Sequence, residues 1–160
     1  MKTLYVLIGA PGSGKSTWAR NNASLLNASI VSSDQIRNAF RSRGLDPLNG
    51  DEVFAEVERR ARDLLEADRS VILDATHYQR KYRRYAIKLA REQRAYSIAL
   101  WFDIPLEVCR NQNQQRIHGI FGDEIVPDTI LRAIWERLQP PQDGEFDKVK
   151  KVQGSGPGDQ

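Results

Sequence analysis

Three groups of residues in this 160-residue sequence have types and spacings suited to phosphate chemistry. The first is Gly9-Ala10-Pro11-Gly12-Ser13-Gly14-Lys15-Ser16, which fits G-x-x-x-x-G-K-[ST] throughout. Glycines let such a backbone wrap closely, with N–H groups turned inward onto phosphate oxygens. An apolar run precedes the loop and helical spacing follows it, so a helix N-terminus adds partial positive charge at the same place. Lys15 has the reach for the β- and γ-phosphates of a nucleoside triphosphate, and the Ser16 hydroxyl suits Mg²⁺. A chance match in a glycine-rich turn would lack the flanking strand and helix. Gly9–Ser16, with Thr17 after it, are the candidate nucleotide-binding residues.

The second group is Asp34 and Arg37, just past the apolar run Ser29–Ser32. A helix starting near Ser33 puts them on one face. An aspartate at a strand end can accept a hydroxyl proton, and an arginine beside it can hold an anionic group. The plainer reading is a helix N-cap with a surface arginine. The third group ends the run Val71-Ile-Leu-Asp74 and continues through Ala75, Thr76 and His77. A motor ATPase places a second acid after such a run; here Ala75 follows, which favours transfer to an acceptor over hydrolysis. No guanine-reading Asn-Lys-x-Asp follows the fourth apolar run, which leads into Asp103-Ile-Pro-Leu106. His77 stands where it could touch the acceptor. Neither it nor His118 has a partner at metal-ligand spacing, so no zinc site is expected.

These residues must be held by a frame, and the apolar runs supply one. Thr3–Gly9, Ser29–Ser32, Ser70–Leu73 and Tyr96–Asp103 read as buried strands, and Phe146–Val152 as an edge strand with one wet face. Lys15–Leu26, Asp51–Ala67, Arg80–Gln93, Leu106–Arg116 and Asp128–Leu138 have helical spacing. Strand alternating with helix predicts an α/β fold with a parallel sheet. Residues 41–50 read as a loop and 153–160 as a flexible tail, from their Gly, Pro and Asn content.

Taken in order, Gly9–Arg20, Ser33–Arg37, Leu73–His77, and Phe102–Pro105 with Arg110, Asn113 and Arg116 resemble the kinase domain of bacteriophage polynucleotide kinase and related small P-loop kinases. The resemblance spans roughly residues 3–138. It implies a P-loop NTPase fold: a five-stranded parallel sheet of adenylate-kinase type, helices on both faces, and a helical lid at about 107–126 within a domain of residues 1–152. It implies transfer of the ATP γ-phosphate to the 5′-hydroxyl of a nucleic acid. By position, Asp34 corresponds to the general base, Arg37 to the ligand of the acceptor's 3′-phosphate, and Arg116 to the lid arginine on the transferring phosphate. Asp74 and Thr76 correspond to residues that orient Asp34 or the acceptor. The sequence departs from the family at Gln112, where a second lid arginine is expected; Arg110, two residues earlier, is the substitute candidate. Ile117–Gly122, with His118, Gly119, Phe121 and Gly122, resembles the flexible part of such a lid.

Bulk properties agree with ATP, carrying Mg²⁺, as the cofactor. The net charge is +3, mild but suited to polyanions. Arg80–Arg94 carries seven basic residues against Glu92 alone, with Tyr82 and Tyr85 among them and Tyr78 just before. That is either a track for a nucleic acid partner or a solvated helix. No apolar run reaches the roughly 20 residues of a membrane span, and Cys109 is the only cysteine. A cytoplasmic protein with no membrane partner is expected. Two other readings stay open: the same reaction on a nucleoside, sugar or antibiotic, and a regulatory nucleotide binder without catalysis.

Overall fold

The computed structural model of the protein describes residues 1–44, 50–116 and 125–153. Within them the elements run β1 (Thr3–Ile8), α1 (Lys15–Asn22), β2 (Ala28–Ser32), α2 (Ser33–Ser42), α3 (Gly50–Glu66) and β3 (Ser70–Asp74). They continue with α4 (Arg80–Glu92), β4 (Tyr96–Asp103), α5 (Leu106–Gln114), α6 (Asp128–Arg137) and β5 (Lys148–Gln153). The five strands form one sheet in the order β2-β3-β1-β4-β5. Every pairing is parallel. The α/β fold expected from the alternation is therefore present.

Alternation along the strands splits the core into two layers. Leu4, Val6 and Ile8 of β1 and Val71 and Leu73 of β3 point to one face, where Val53, Val57, Ala61 and Leu65 of α3 and Ala86, Leu89 and Ala90 of α4 cover them. Leu7 and Ile72 point to the other face, toward Ala19 of α1, Cys109 of α5 and Leu131 of α6. Each fully buried Leu or Val contributes about 1.5–3 kcal/mol. The four buried positions of α3 recur every fourth residue, which is why that stripe was legible.

Several boundaries differ from expectation. The first helix stops at Asn22 rather than Leu26. β5 starts at Lys148, and Phe146 before it is buried in the core. Gln153, expected in the tail, pairs with Asp103 as the last residue of β5. Lys148, Lys150 and Lys151 of this edge strand are exposed. The predicted lid residues His118, Gly119, Phe121 and Gly122 lie outside the described residues, as do 45–49 of the predicted loop and the predicted tail from residue 154 onward.

Candidate functional site

The glycine loop joins β1 to α1 at the carboxyl edge of the sheet, where parallel folds gather ligands. Its entrance is tied to the segment just after β3 by the Gly9 N–H donating to the Thr76 carbonyl at 3.0 Å. Ala10, Pro11, Gly12 and Ser13 are buried, and Gly14 and Ser16 are half-buried. Thr17, in the first turn of α1, is exposed. Gly12 and Gly14 adopt φ of +81° and +95°. At Gly12 a Cβ would lie 2.2 Å from the Cys109 carbonyl oxygen and 3.0 Å from the Asn113 nitrogen. The loop thus rests directly on α5, a contact only glycine permits.

Lys15 is buried inside the loop. Its ammonium donates to the Ala10 carbonyl at 2.8 Å and the Ser13 hydroxyl at 3.4 Å. Burial pulls its pKa down to about 8; Asp74 and Asp34 oppose that shift, and Arg116 adds to it. Lys15 therefore feels charge from three other parts of the chain: Asp34, Asp74 and Arg116.

Asp74 closes β3 and accepts a hydrogen bond from the Ser16 hydroxyl at 2.7 Å. The resemblance points Asp74 at Asp34 or the acceptor; in the fold it contacts the loop hydroxyl of Ser16. A hydroxyl and a carboxylate side by side at a phosphate loop are hard oxygen donors of the kind Mg²⁺ takes, so the residues present fit that ion. Asp34 sits in the first turn of α2, but it is Ser32 whose side chain caps that helix, accepting from the Gln35 N–H at 3.3 Å. The capping explanation for Asp34 is thereby replaced. Arg37 pairs with Asp34 at 3.3 Å, both side chains being partly exposed. A cavity of about 310 Å³ nearby is lined by Ser32, Gln35, Arg60 and Asp63 among others. Lys15, Asp34, Arg37 and Asp74 do not line it.

Three expectations need correction. His77 does not face an acceptor: it is 1% exposed, bonded to the Leu7 carbonyl at 2.7 Å and the Tyr85 hydroxyl at 2.6 Å. Burial brings its pKa down to about 4, so the ring is neutral core material. Arg110 is not turned to the phosphates; its guanidinium spans both carboxylate oxygens of Asp128, at 2.8 and 3.2 Å, and reaches Glu107 at 3.3 Å. It clamps α5 to α6. Arg83, counted in the basic run, is fully buried. It pairs with Glu145 at 2.6 and 3.1 Å and donates to the carbonyls of His77 and Gln139, each at 2.9 Å.

Tyr85 likewise faces inward, against His77 and Phe54. Half-buried Tyr78 and exposed Tyr82 meet with tilted rings 5.1 Å apart, the Lys81 ammonium lying 5.0 Å from the Tyr82 ring centre. One polar residue received no role from the sequence: Asn113, 3% exposed, binds the main chain of Val126 through both amide atoms. Its burial on an otherwise polar helix end carries no sequence signal.

A family model described as an AAA domain matches residues 4–141. A chain of the Pnkp1/Rnl/Hen1 RNA repair complex superposes with a TM-score of 0.71 at 26% identity, over 86% of this chain and 44% of that one. A gluconokinase from Sinorhizobium meliloti superposes with a TM-score of 0.63 at 24% identity, over 97% of this chain and 84% of that one. An uncharacterized protein of Mycobacterium tuberculosis is 37% identical over 102 residues, 56% of this chain. The chain spans about a fifth (20%) of that relative's length.

Proposed function

The chain belongs to the AAA domain family and has its ATP-binding P-loop kinase fold, and from that premise we propose that it transfers the γ-phosphate of ATP to a hydroxyl acceptor, best read as the 5′-hydroxyl of a polynucleotide. The observation that carries the transfer is the Asp34–Arg37 pair, 3.3 Å apart, just past the end of β2, whose last residue Ser32 is in register with Asp74, the partner of the loop hydroxyl of Ser16. A passive nucleotide binder needs the loop and its lysine; it has no use for a carboxylate at the acceptor side.

In this reading the loop amides and Lys15 hold the β- and γ-phosphates. Ser16 and Asp74 would hold Mg²⁺, which would neutralise charge on the phosphates. Asp34 accepts the proton of the acceptor hydroxyl while that oxygen bonds to the γ-phosphorus. The bond from phosphorus to the bridging oxygen breaks, and ADP leaves with the electron pair. The products are ADP and a phosphate monoester. Negative charge spread over the equatorial oxygens in flight is met by Lys15 and Arg116. Arg37, paired with Asp34 at 3.3 Å, seats an anionic group of the acceptor. Little covalent work falls to the protein; positioning and charge do most of it.

A polynucleotide acceptor is supported by the RNA repair relative and by the outward cations and tyrosine pair at the start of α4. The gluconokinase likeness favours a second reading, a small polyol acceptor on the same machinery. Transfer of label from γ-labelled ATP to a 5′-hydroxyl oligonucleotide, with gluconate in parallel, separates them. The expected result is labelled oligonucleotide, reduced at least about 100-fold by Asp34→Asn with ADP still bound. Labelled gluconate alone moves the assignment to the second reading. No label in either, or full activity in Asp34→Asn, removes the proposed chemistry.

A further inference from the structure

The end of α5 is where three parts of the site touch. Cys109 and Asn113 lie one turn apart on α5, and Arg116 follows just past the helix end. Cys109 and Asn113 press their main chain against Gly12 of the phosphate loop. The Arg116 N–H closes on the Asn113 carbonyl at 3.3 Å as the helix runs out. On the other side, the Asn113 amide donates to the Val126 carbonyl at 2.7 Å and accepts from the Val126 N–H at 3.0 Å. One buried side chain therefore fixes the loop-facing helix end to the chain that enters α6, thirteen residues further on.

We propose that Asn113 is a positioning residue for phosphoryl transfer: its two-way bond to Val126 holds the end of α5 so that Arg116 stands at the phosphate loop. This rests on the kinase reading above and adds to it a residue that touches no substrate. Only an amide fits the place. Aspartate would set a carboxylate against the Val126 carbonyl, and alanine would leave both main-chain groups without their partner. Gln112, one residue earlier, is exposed; the orientation of Arg116 depends instead on the neighbour that is buried.

The test is a double-mutant cycle on Asn113→Ala and Arg116→Ala, read as ADP release from ATP with Mg²⁺ and a 5′-hydroxyl oligonucleotide, so that transfer to water is counted as well. Binding of ADP and the melting temperature are measured on each variant. Asn113→Asp, which keeps the volume and one of the two bonds, stands in if the alanine variant does not fold. Asn113→Ala is expected to lower kcat about 10–100-fold, with the KM for ATP and the Kd for ADP within about threefold. In the Arg116→Ala background the same change is expected to alter kcat by less than about twofold, since the two act through one group. Equal losses in both backgrounds, or full kcat in Asn113→Ala, overturn the proposal. So does full kcat in Arg116→Ala, which leaves the kinase reading to Asp34→Asn. Absence of ADP release in the parent protein removes the kinase reading, and this proposal with it.

Discussion

Lys15 carries the sharpest consequence at the scale of single residues. Its pKa, lowered by burial to about 8, means that the folded protein loses a proton that an unfolded chain keeps up to the ordinary lysine range near 10.5. Between those values the unfolded state binds more protons, so this group adds stability as pH rises through the window. Phosphate binding runs the other way, because it needs the ammonium. The affinity of the protein for ADP is therefore expected to fall as pH rises through about 8, and the dependence to vanish in Lys15→Met. Calorimetric titration of ADP across pH 6.5–9.5 reads this directly; a flat profile in the parent protein would show that Lys15 is not charged and buried as described. His77 gives the complementary lesson. As a lone histidine after a strand-ending Asp-Ala-Thr, it read as an acceptor contact. Its partners, Leu7 and Tyr85, come from β1 and α4, and nothing local announces them.

Between elements, the two glycines of the loop separate strain from contact. Both have positive φ, but at Gly14 a Cβ meets nothing within 4 Å, whereas at Gly12 it strikes the α5 backbone. Gly14→Ala should cost only the backbone penalty, about 1–3 kcal/mol. Gly12→Ala should cost more, and should lose ADP binding as the loop lifts from α5. Urea unfolding and ADP titration on both variants check this; equal effects would deny the loop–helix contact its role. The Arg83–Glu145 pair ties α4 to the chain entering β5. Arg83→Ala leaves a carboxylate and two carbonyls short of a donor, and should destabilise by about 3–5 kcal/mol. An exposed arginine would cost almost nothing, so denaturation of this one variant separates the two descriptions of the basic run. The glycine loop, four of the strands and the α3 stripe were legible because each is written in neighbouring residues. Arg83 and Arg110 were misread because their partners, Glu145 and Asp128, lie 62 and 18 positions away. Phe146 misled for a related reason: an apolar residue next to alternating charges reads as strand, yet its burial decides that it anchors the entry to β5.

For the molecule as a whole, charge decides between acceptors. Arg83 is withdrawn into the interior, but Arg80, Lys81, Arg84, Lys88 and Arg91 remain on the outside of α4. If these cations follow a single strand, the logarithm of acceptor affinity should fall linearly with the logarithm of salt. Each phosphate contact removed by Lys81→Gln or Arg84→Gln should then shallow that slope by about 0.7. KM for an oligonucleotide measured from 50 to 300 mM salt tests this; a salt-independent KM would favour a small acceptor. No described helix is long and apolar enough to cross a membrane. Cys109 sits behind Gly12, fully buried, and its thiol is pushed up to about 11 by that burial. Maleimides and iodoacetamide attack the thiolate, so the native chain should pass through such reagents unlabelled. A cysteine placed at half-exposed Ile130 would then be the sole attachment point for a dye or spin label, with no background to engineer away.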